Sequence, residues 1–264
     1  MLERFEDADG FVGYRSPLFA RAGIPHLFTT RIGARGRRTL DLGRLDAEER
    51  ERLARAAGLP GAPIAAARQV HGAHVLALRE GELPDVDVEA DGLVSGREDV
   101  LVGVHVADCV PVLLARTDGR RVAAVHAGWR GLVAGVLPRA VELLGGGNLL
   151  AAIGPCLSRE RFEVGPEVVQ AFARSGLAAA IHERERGRAC IDLRAAAALQ
   201  LEAAGVGPTE TNDRCTYTHA DEFYSYRRDV THGGQRRTGR LGAVIAAAPA
   251  AGSAGLQPGS SPSA

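Results

Sequence analysis

The sequence contains no lysine, and all 32 of its basic residues are arginine. This absence rules out Schiff-base catalysis by a lysine side chain. No apolar run approaches the length that a helix needs to cross a bilayer, and the first residues, MLERFED, lack the basic-then-apolar layout of a signal peptide. The sequence therefore predicts a cytoplasmic protein with no membrane partner.

Net charge is absent too, because 32 acidic residues balance the 32 basic ones. A neutral chain creates no overall field that would draw it to nucleic acid, so we expect no nucleic-acid partner. The four cysteines are few and scattered for 264 residues, which favours reduced thiols over disulfides. A hydrophobic content of 45% is sufficient for one substantial core.

The chain is expected to form one catalytic domain over residues 1–248, since no internal repeat or linker divides it. From residue 249 to residue 264 the sequence consists mainly of small residues, glycine and proline. Such a segment has almost nothing to bury, so a disordered C-terminal tail is predicted over 249–264.

The middle of the chain predicts three strands followed by a helix. Apolar runs over 100–104, 112–114 and 122–125 are typical of strands, with a hairpin turn at 117–119 between the last two. Apolar residues at helical spacing predict a helix over 132–144, in which Pro138 indicates a kink or a late start.

Further along, the sequence predicts a buried strand over 149–153 and helices near 166–174 and 193–204. Asp192 is positioned to cap the second of these helices. Strands and helices mix without strict alternation, which favours an α/β or α+β fold.

Three local patterns place metal-binding side chains at predicted strand ends. RQVHG contributes His71, ADCVP contributes Cys109, and HAGWRG contributes His126. Cys109 and His126 are 17 residues apart, a separation that a hairpin could fold so that they face each other. Two imidazoles and one thiolate suit zinc, and three protein ligands leave the fourth position open, as in catalytic sites.

The same residues have an ordinary structural interpretation. An isolated histidine at a strand end is usually a hydrogen-bonded residue, and an isolated cysteine usually behaves as a small buried hydrophobe. Residue types and spacing leave both interpretations open.

Four further patterns occur along the chain, one between RQVHG and ADCVP and three after HAGWRG. They are ADGLVS at 90–95, GPCLS at 154–158, FEVG at 162–165 and CTYTHADEFYSYRRD at 215–229. Together the seven patterns resemble the laccase-domain purine nucleoside phosphorylase family, whose members have also been described as polyphenol oxidases. The resemblance extends from about residue 26 to about residue 246. Val106 departs from the threonine usual before ADC, and the segment 28–43 keeps only part of the family pattern.

The resemblance implies a four-layer αββα sandwich with mixed sheets and a zinc ion on His71, Cys109 and His126. It also implies phosphorolysis of adenosine, inosine, guanosine and 5′-methylthioadenosine to the base and ribose 1-phosphate, with adenosine deamination as a second activity. A nucleoside and phosphate would then be the partners of a monomer or homodimer. Copper is a less favoured metal than zinc.

Several side chains are candidates for the remaining chemistry. Asp108, next to the cysteine, could transfer protons or orient His71 or His126, and Glu163 is a second candidate for proton transfer. Trp129 could stack on a base or pack in the core. Candidates for binding substrate or phosphate are Arg31, Gln69, Arg130, Arg227 and Arg228. Arg227 and Arg228 could instead form a surface pair or a salt bridge to Asp229.

Three other functions are alternatives, and the sequence argues against the first of them. A multicopper oxidase needs paired histidines in H-x-H spacing, and none of the eight histidines has it. A metal-free hydrolase or amidase would use Cys109 as nucleophile with His71 or His126 as base. A non-catalytic binding module would release neither base nor ammonia from a nucleoside.

Overall fold

The computed structural model describes residues 1–33, 45–84, 87–184 and 188–249. The predicted tail, apart from Pro249, and most of the atypical segment 28–43 lie outside these residues. The described strands are β1 (Glu3–Glu6), β2 (Val12–Arg15), β3 (His26–Thr29), β4 (Ile64–Ala65), β5 (Val75–Ala77), β6 (Gly92–Ser95), β7 (Leu101–Val106), β8 (Val110–Arg116), β9 (Val122–Ala127), β10 (Leu149–Ile153), β11 (Glu163–Val164), β12 (Ile181–Glu183), β13 (Ala189–Ile191), β14 (Thr209–Thr211) and β15 (Leu241–Ile245). The α-helices are α1 (Pro17–Arg21), α2 (Ala47–Ala56), α3 (Trp129–Val133), α4 (Val136–Leu144), α5 (Pro166–Arg174) and α6 (Leu193–Ala203).

These strands form two six-stranded sheets and one three-stranded sheet. The first sheet has the order β1-β2-β3-β15-β7-β4, and the second has the order β14-β10-β8-β9-β6-β5. The small sheet has the order β11-β13-β12. Both large sheets are mixed, since β4 runs parallel to β7, and β5 and β14 run parallel to β6 and β10, among otherwise antiparallel pairs.

Three clusters of buried side chains define the layers. One cluster joins the facing surfaces of the two large sheets and includes Val104 of β7 and Leu113 of β8. A second packs the other face of the second sheet against helices, with Val125 against residues such as Leu137 of α4. A third places Leu53 of α2 on the outer face of the first sheet. Helix, sheet, sheet and helices therefore form the αββα sandwich that the resemblance implied.

The predicted strands of the middle region are confirmed, with longer bounds in β7, β8 and β9. Strands β8 and β9 form an antiparallel hairpin in which Pro111 lies opposite His126. Cys109 directly precedes β8, so the hairpin brings it beside the end of β9 as the spacing predicted.

The single helix predicted over 132–144 is wrong in its extent. The structure has two helices, α3 and α4, separated by Ala134 and Gly135. Gly135 has φ +81°, a left-handed conformation that interrupts the helix and that glycine adopts without a Cβ penalty. Pro138 is the third residue of α4, where its missing N–H needs no helical partner. Of the two possibilities that Pro138 indicated, a kink or a late start of the helix, the structure shows the late start, at Val136 of α4.

The later elements agree with the prediction. Strand β10 and helix α5 have the predicted bounds, and α6 ends one residue earlier than expected. Asp192 caps α6, with its carboxylate accepting a bond of 2.9 Å from the backbone N–H of Ala195. None of the helices in the described ranges is both long and apolar enough to cross a membrane.

Candidate metal and substrate site

The structure brings together the three residues predicted as metal ligands. One nitrogen each of His71 and His126 and the Sγ atom of Cys109 all lie within 4.8 Å of one another. The two imidazole rings are nearly perpendicular, at 87°, with centroids 4.8 Å apart. His126 is buried, Cys109 is half-buried and His71 is exposed, so the group opens to solvent on one side.

The electrostatics of this group favour a thiolate. Burial alone raises the pKa of the Cys109 thiol, but His126 and His71 more than offset this effect and lower it to about 6. Burial lowers the pKa of His126, whereas the Cys109 thiolate and the carboxylate of Asp91 raise it to about 9. A thiolate is the form of cysteine that binds metals, and it is available here at neutral pH.

Asp91, directly before β6, holds the histidine side of this group in place. Its carboxylate is fully buried, and Oδ1 accepts bonds from His126 Nδ1 at 2.8 Å and from the His71 backbone N–H at 2.9 Å. Oδ2 accepts from the backbone N–H groups of Gly72 at 2.6 Å and Val70 at 3.3 Å. With Nδ1 of His126 donating to Asp91, Nε2 is left to bind a metal.

Two glycines of the HAGWRG pattern allow close contacts around the group. A Cβ at Gly128 would lie 3.1 Å from His71 Cδ2 and 3.2 Å from Cys109 Sγ. A Cβ at Gly131 would lie 2.8 Å from the carbonyl oxygen of Gly72. The first glycine leaves room for the ligands, and the second allows α3 to approach the loop that carries His71.

The backbone is strained at two positions next to the group. Among the described residues other than glycine, only His71 and Asp108 have positive φ, at +61° and +88°. Such conformations cost about 1 kcal/mol or more each and persist only where surrounding contacts enforce them. The bonds to Asp91 provide those contacts for His71.

Asp108 faces the C-terminal part of the chain instead of the two histidines. Its Oδ1 accepts from the hydroxyl of Thr216 at 2.6 Å, and its Oδ2 accepts from Ser225 Oγ at 3.1 Å and from the Arg227 backbone N–H at 2.7 Å. Burial raises the pKa of Asp108 above its ordinary value, and these bonds offset the rise only in part. The sequence suggested that Asp108 could orient His71 or His126. In the structure the carboxylate that orients His126 is Asp91 instead.

A cavity of about 590 Å³ opens beside the three candidate ligands. Its size lies in the range typical of small-molecule sites. The lining residues, with the three ligands and Asp108, are Ala67, Arg68, Gln69, His105, Val106, Ala107, Trp129, Leu157, Phe162, Leu193, Tyr226, Arg227 and Arg240.

Two of the five predicted substrate or phosphate ligands line this cavity. The guanidinium of Arg227 lies over the ring of Phe162 and donates to the carbonyl oxygen of Glu163 at 3.1 Å. The side-chain amide of Gln69 exchanges two bonds of 2.7 Å with the backbone of His105, so it anchors the loop of His71 to β7.

The other three predicted ligands lie outside the cavity lining. Arg31 donates to the carbonyl oxygen of Ala220 and lies over the ring of Tyr224, and the exposed Arg130 lies over Trp129. The guanidinium of Arg228 donates to the carbonyl oxygens of Thr216, Tyr217 and Phe223 and forms an ion pair with Asp229. The predicted salt bridge to Asp229 is thus present.

Glu163, the second candidate for proton transfer, is exposed and pairs with Arg188 at 3.2 Å, outside the cavity lining. Sequence reasoning did not identify Asp91 or Arg240. Asp91 stood in the ADGLVS pattern, two residues before the apolar pair Leu93-Val94. A charged residue beside an apolar run is a possible sign of a buried, hydrogen-bonded carboxylate, and that was the one signal in the sequence.

Comparison with known proteins places the chain in a family. Residues 35–248 match the family model described as multi-copper polyphenol oxidoreductase laccase. A purine nucleoside phosphorylase of Deinococcus radiodurans is 40% identical over 252 residues, covering 90% of this chain and 94% of that protein. The purine nucleoside phosphorylase YfiH of Escherichia coli is 41% identical over 201 residues, covering 75% of this chain and 79% of its own.

Solved structures agree with this placement. A Neisseria meningitidis protein is 33% identical with a TM-score of 0.73, covering 86% of this chain and 96% of that chain. The YlmD protein of Geobacillus stearothermophilus is 28% identical with a TM-score of 0.79, covering 93% of this chain and 99% of that chain. The chain belongs to this laccase-domain family, and the resemblance drawn from the seven patterns is confirmed.

Proposed function

We propose that the chain is a zinc-dependent purine nucleoside phosphorylase whose catalytic domain spans residues 1–248. Its substrates would be adenosine, inosine, guanosine and 5′-methylthioadenosine, and adenosine deamination would be a second activity. The observation that carries the proposal is the His71–Cys109–His126 group, whose ligand atoms lie within 4.8 Å of one another beside the cavity. The names of the relatives from Deinococcus radiodurans and Escherichia coli support the reaction class.

The residues of the group fit a zinc ion. Two imidazole nitrogens and one thiolate are a ligand set that zinc accepts, and three protein ligands leave a position for water or substrate. The hydrogen bond that His126 Nδ1 donates to Asp91 is the support that zinc-binding histidines usually have. When bound, zinc supplies a Lewis acid that polarises an oxygen or lowers the pKa of a water molecule.

The remaining roles fall to side chains that line the cavity. Asp108, a carboxyl group of raised pKa beside the ligands, is suited to hold or transfer a proton during the departure of the base or of ammonia. The guanidinium of Arg227 is suited to bind phosphate. The apolar side chains of Leu157, Phe162 and Leu193 provide a wall against which a purine could pack.

The lowered pKa of Cys109 supports a second candidate, a metal-free hydrolase or amidase. In that enzyme the Cys109 thiolate would attack a carbonyl carbon, with His126 or His71 transferring the proton to the leaving group. The copper chemistry named in the family description is a third candidate. It has less support here, because the described residues hold a single group of three or more candidate metal ligands.

The proposal is tested with purified full-length protein of measured metal content, incubated with adenosine in the presence and absence of phosphate. We expect adenine and ribose 1-phosphate only with phosphate, and inosine and ammonia in both samples. Chelation should abolish both activities and added zinc should restore them. Unchanged adenosine in every sample of zinc-loaded protein would refute the proposal.

Separate assays distinguish the rivals. A thiol hydrolase would retain activity after complete removal of metal and lose it on alkylation of Cys109. A copper oxidase would contain stoichiometric copper and oxidise a phenol.

A further inference from the structure

One tryptophan, one phenylalanine and one tyrosine line the cavity: Trp129, Phe162 and Tyr226. The first two already have partners within the protein. The guanidinium of Arg130 lies over the Trp129 ring, 4.3 Å from its centroid, and that of Arg227 lies over the Phe162 ring at 5.3 Å. Trp129 and Phe162 also pack against the core between the second sheet and its helices. Both rings therefore have a structural role that needs no ligand.

Tyr226 differs from these two rings. It is 50% exposed, and it is the one aromatic residue among the exposed large apolar side chains of the described ranges. Within the same ranges, its ring has no aromatic or guanidinium partner and its hydroxyl has no hydrogen bond. The three residues before it, 223–225, are all buried. A ring that keeps half of its surface in water at the side of a cavity gains free energy when a ligand covers it.

The backbone that carries the Tyr226 ring is fixed on both sides. The hydroxyl of Ser225 and the backbone N–H of Arg227 donate to the same oxygen, Oδ2 of Asp108, at 3.1 and 2.7 Å. The backbone N–H of Asp229 donates to the carbonyl oxygen of Ser225 at 2.9 Å. Tyr226 itself has ordinary helical angles, φ −63° and ψ −41°. Because only two side-chain torsions remain free, ordering the ring on a ligand costs little entropy.

The apolar part of the cavity lining favours a flat ligand with apolar faces. Leu157 and Leu193 are buried and line the cavity together with Phe162. A purine base has two such faces, and an aromatic side chain that stacks on one of them changes the affinity by about tenfold or more. Ribose and phosphate offer no face of this kind. Among the parts of a nucleoside, the base is therefore the one that matches the Tyr226 ring.

We propose that Tyr226 is a base-binding residue whose ring stacks on the purine. This inference rests on the proposed function, in that the base belongs to the nucleoside substrate or is the product of phosphorolysis. Stacking does not depend on the hydrogen-bonding edge of the base, so Tyr226 serves adenine, hypoxanthine and guanine alike. Since Ser225 and Arg227 tie this residue to Asp108, the same contacts keep the base near the carboxyl group proposed to transfer a proton.

Base binding can be measured without turnover, because free adenine cannot undergo reverse phosphorolysis unless ribose 1-phosphate is present. Zinc-loaded full-length protein is titrated with adenine in a calorimeter and, in a separate arm, with ribose 1-phosphate. Tyr226→Leu should weaken adenine binding by about tenfold and leave ribose 1-phosphate binding within about twofold. Tyr226→Phe keeps the ring and removes the hydroxyl, so it should bind adenine within about twofold of the wild type.

Tyr217→Leu is the matched control on the same segment of the chain. The Tyr217 hydroxyl forms a hydrogen bond of 3.1 Å with His232 Nδ1, the guanidinium of Arg161 lies over its ring, and it lies outside the cavity lining. This variant should bind adenine as the wild type does. The half-exposed Tyr226 ring contributes little to folding, so denaturant unfolding of Tyr226→Leu should remain close to that of the wild type.

Four results would overturn the inference. The first is wild-type affinity for adenine in Tyr226→Leu, and the second is a wild-type protein that does not bind adenine. The third is an equal loss in Tyr226→Phe, which would assign the contact to the hydroxyl. The fourth is an equal loss in Tyr217→Leu or for ribose 1-phosphate, which would indicate a general disturbance of the segment.

The steady-state kinetics separate this inference from the proposed function. In Tyr226→Leu the KM values for adenosine and inosine should both rise by about tenfold, while kcat and the KM for phosphate stay within about twofold. This is the pattern of a contact made equally in the ground state and the transition state. A wild-type protein that binds adenine through Tyr226 but releases no base from nucleosides would refute the proposed function and leave the base site standing. Unchanged KM values in an active Tyr226→Leu enzyme would do the reverse.

Discussion

Two buried aspartates lie beside the three candidate metal ligands, but their carboxyl groups have opposite surroundings. Asp91 accepts four bonds, three from backbone N–H groups and one from His126, and these lower its pKa although burial raises it. Asp108 accepts two hydroxyl bonds and one from a backbone N–H, and its pKa is raised. A carboxylate that stays ionised suits the support of a metal ligand, whereas one of raised pKa suits proton transfer.

The two aspartates also connect different parts of the chain. Asp91 joins the loop of His71 to β9, so it links two segments that carry candidate metal ligands. Asp108 joins the start of β8 to the segment that carries Thr216, Ser225 and Arg227. Loss of the first should therefore change metal binding, and loss of the second should change catalysis with the metal in place.

The broadest effect is expected for Asp91→Asn, which should change both metal binding and stability. Oδ1 and Oδ2 each accept two bonds, and an amide has only one oxygen, so two donors lose their acceptor. We expect zinc affinity to fall by about 10- to 100-fold and the free energy of unfolding by about 3 kcal/mol. Atomic absorption of dialysed protein and denaturant unfolding measure the two effects.

Asp99→Asn is the matched control, since Asp99 is an exposed partner of Arg97 far from these contacts. It should change neither quantity appreciably. Wild-type zinc affinity in Asp91→Asn would mean that Asp91 does not support His126 as a ligand.

Asp108→Asn should show the opposite pattern. The variant keeps the shape of the side chain but cannot transfer a proton, so kcat should fall by about 100-fold or more while the zinc content is unchanged. Full activity would remove Asp108 from the proposed chemistry, and loss of zinc would show that the two aspartates share one role.

A smaller effect is expected for Gly128→Ala, which crowds the ligands without changing a charge. The added methyl group would lie 3.1 Å from His71 Cδ2 and 3.2 Å from Cys109 Sγ, so the ligands must shift by a few tenths of an ångström. We expect zinc affinity to fall by about tenfold. Gly135→Ala is the control: it strains a backbone at φ +81° with nothing within 4 Å, so it should lower stability and leave zinc binding intact.

The hairpin that brings Cys109 beside His126 could be predicted from the sequence because local features determine it. The apolar runs and the turn at 117–119 place Cys109 beside the end of β9, whereas residue types and spacing left a purely structural role open and only the family resemblance favoured a metal site. The helix break at Gly135 was missed because isolated glycines are tolerated in helical patterns, and the period of apolar residues continues through it.

The supporting contacts could not be predicted in the same way. Asp91 reaches His71 across 20 residues and His126 across 35, and only the folded sheet brings these groups together. The arginines show the same limit, since Arg227 and Arg228 are adjacent in sequence. One lines the cavity and the other donates to three backbone carbonyl oxygens, a difference produced by the π-helical turn.

The smallest expected effect belongs to Thr216→Val, which alters the pKa of Asp108 without removing its carboxyl group. The Thr216 hydroxyl donates to Oδ1 at 2.6 Å and lowers that pKa, so its loss should raise the pKa further. The limb of the pH profile of kcat/KM that Asp108 controls should move to higher pH by about one unit, whether Asp108 acts as acid or base. Ser225→Ala removes a longer bond of 3.1 Å and should move the limb less. Thr218→Val, at an exposed site on the same segment, should not move it. If neither of the first two variants displaces the limb, the group that titrates in the profile is not Asp108.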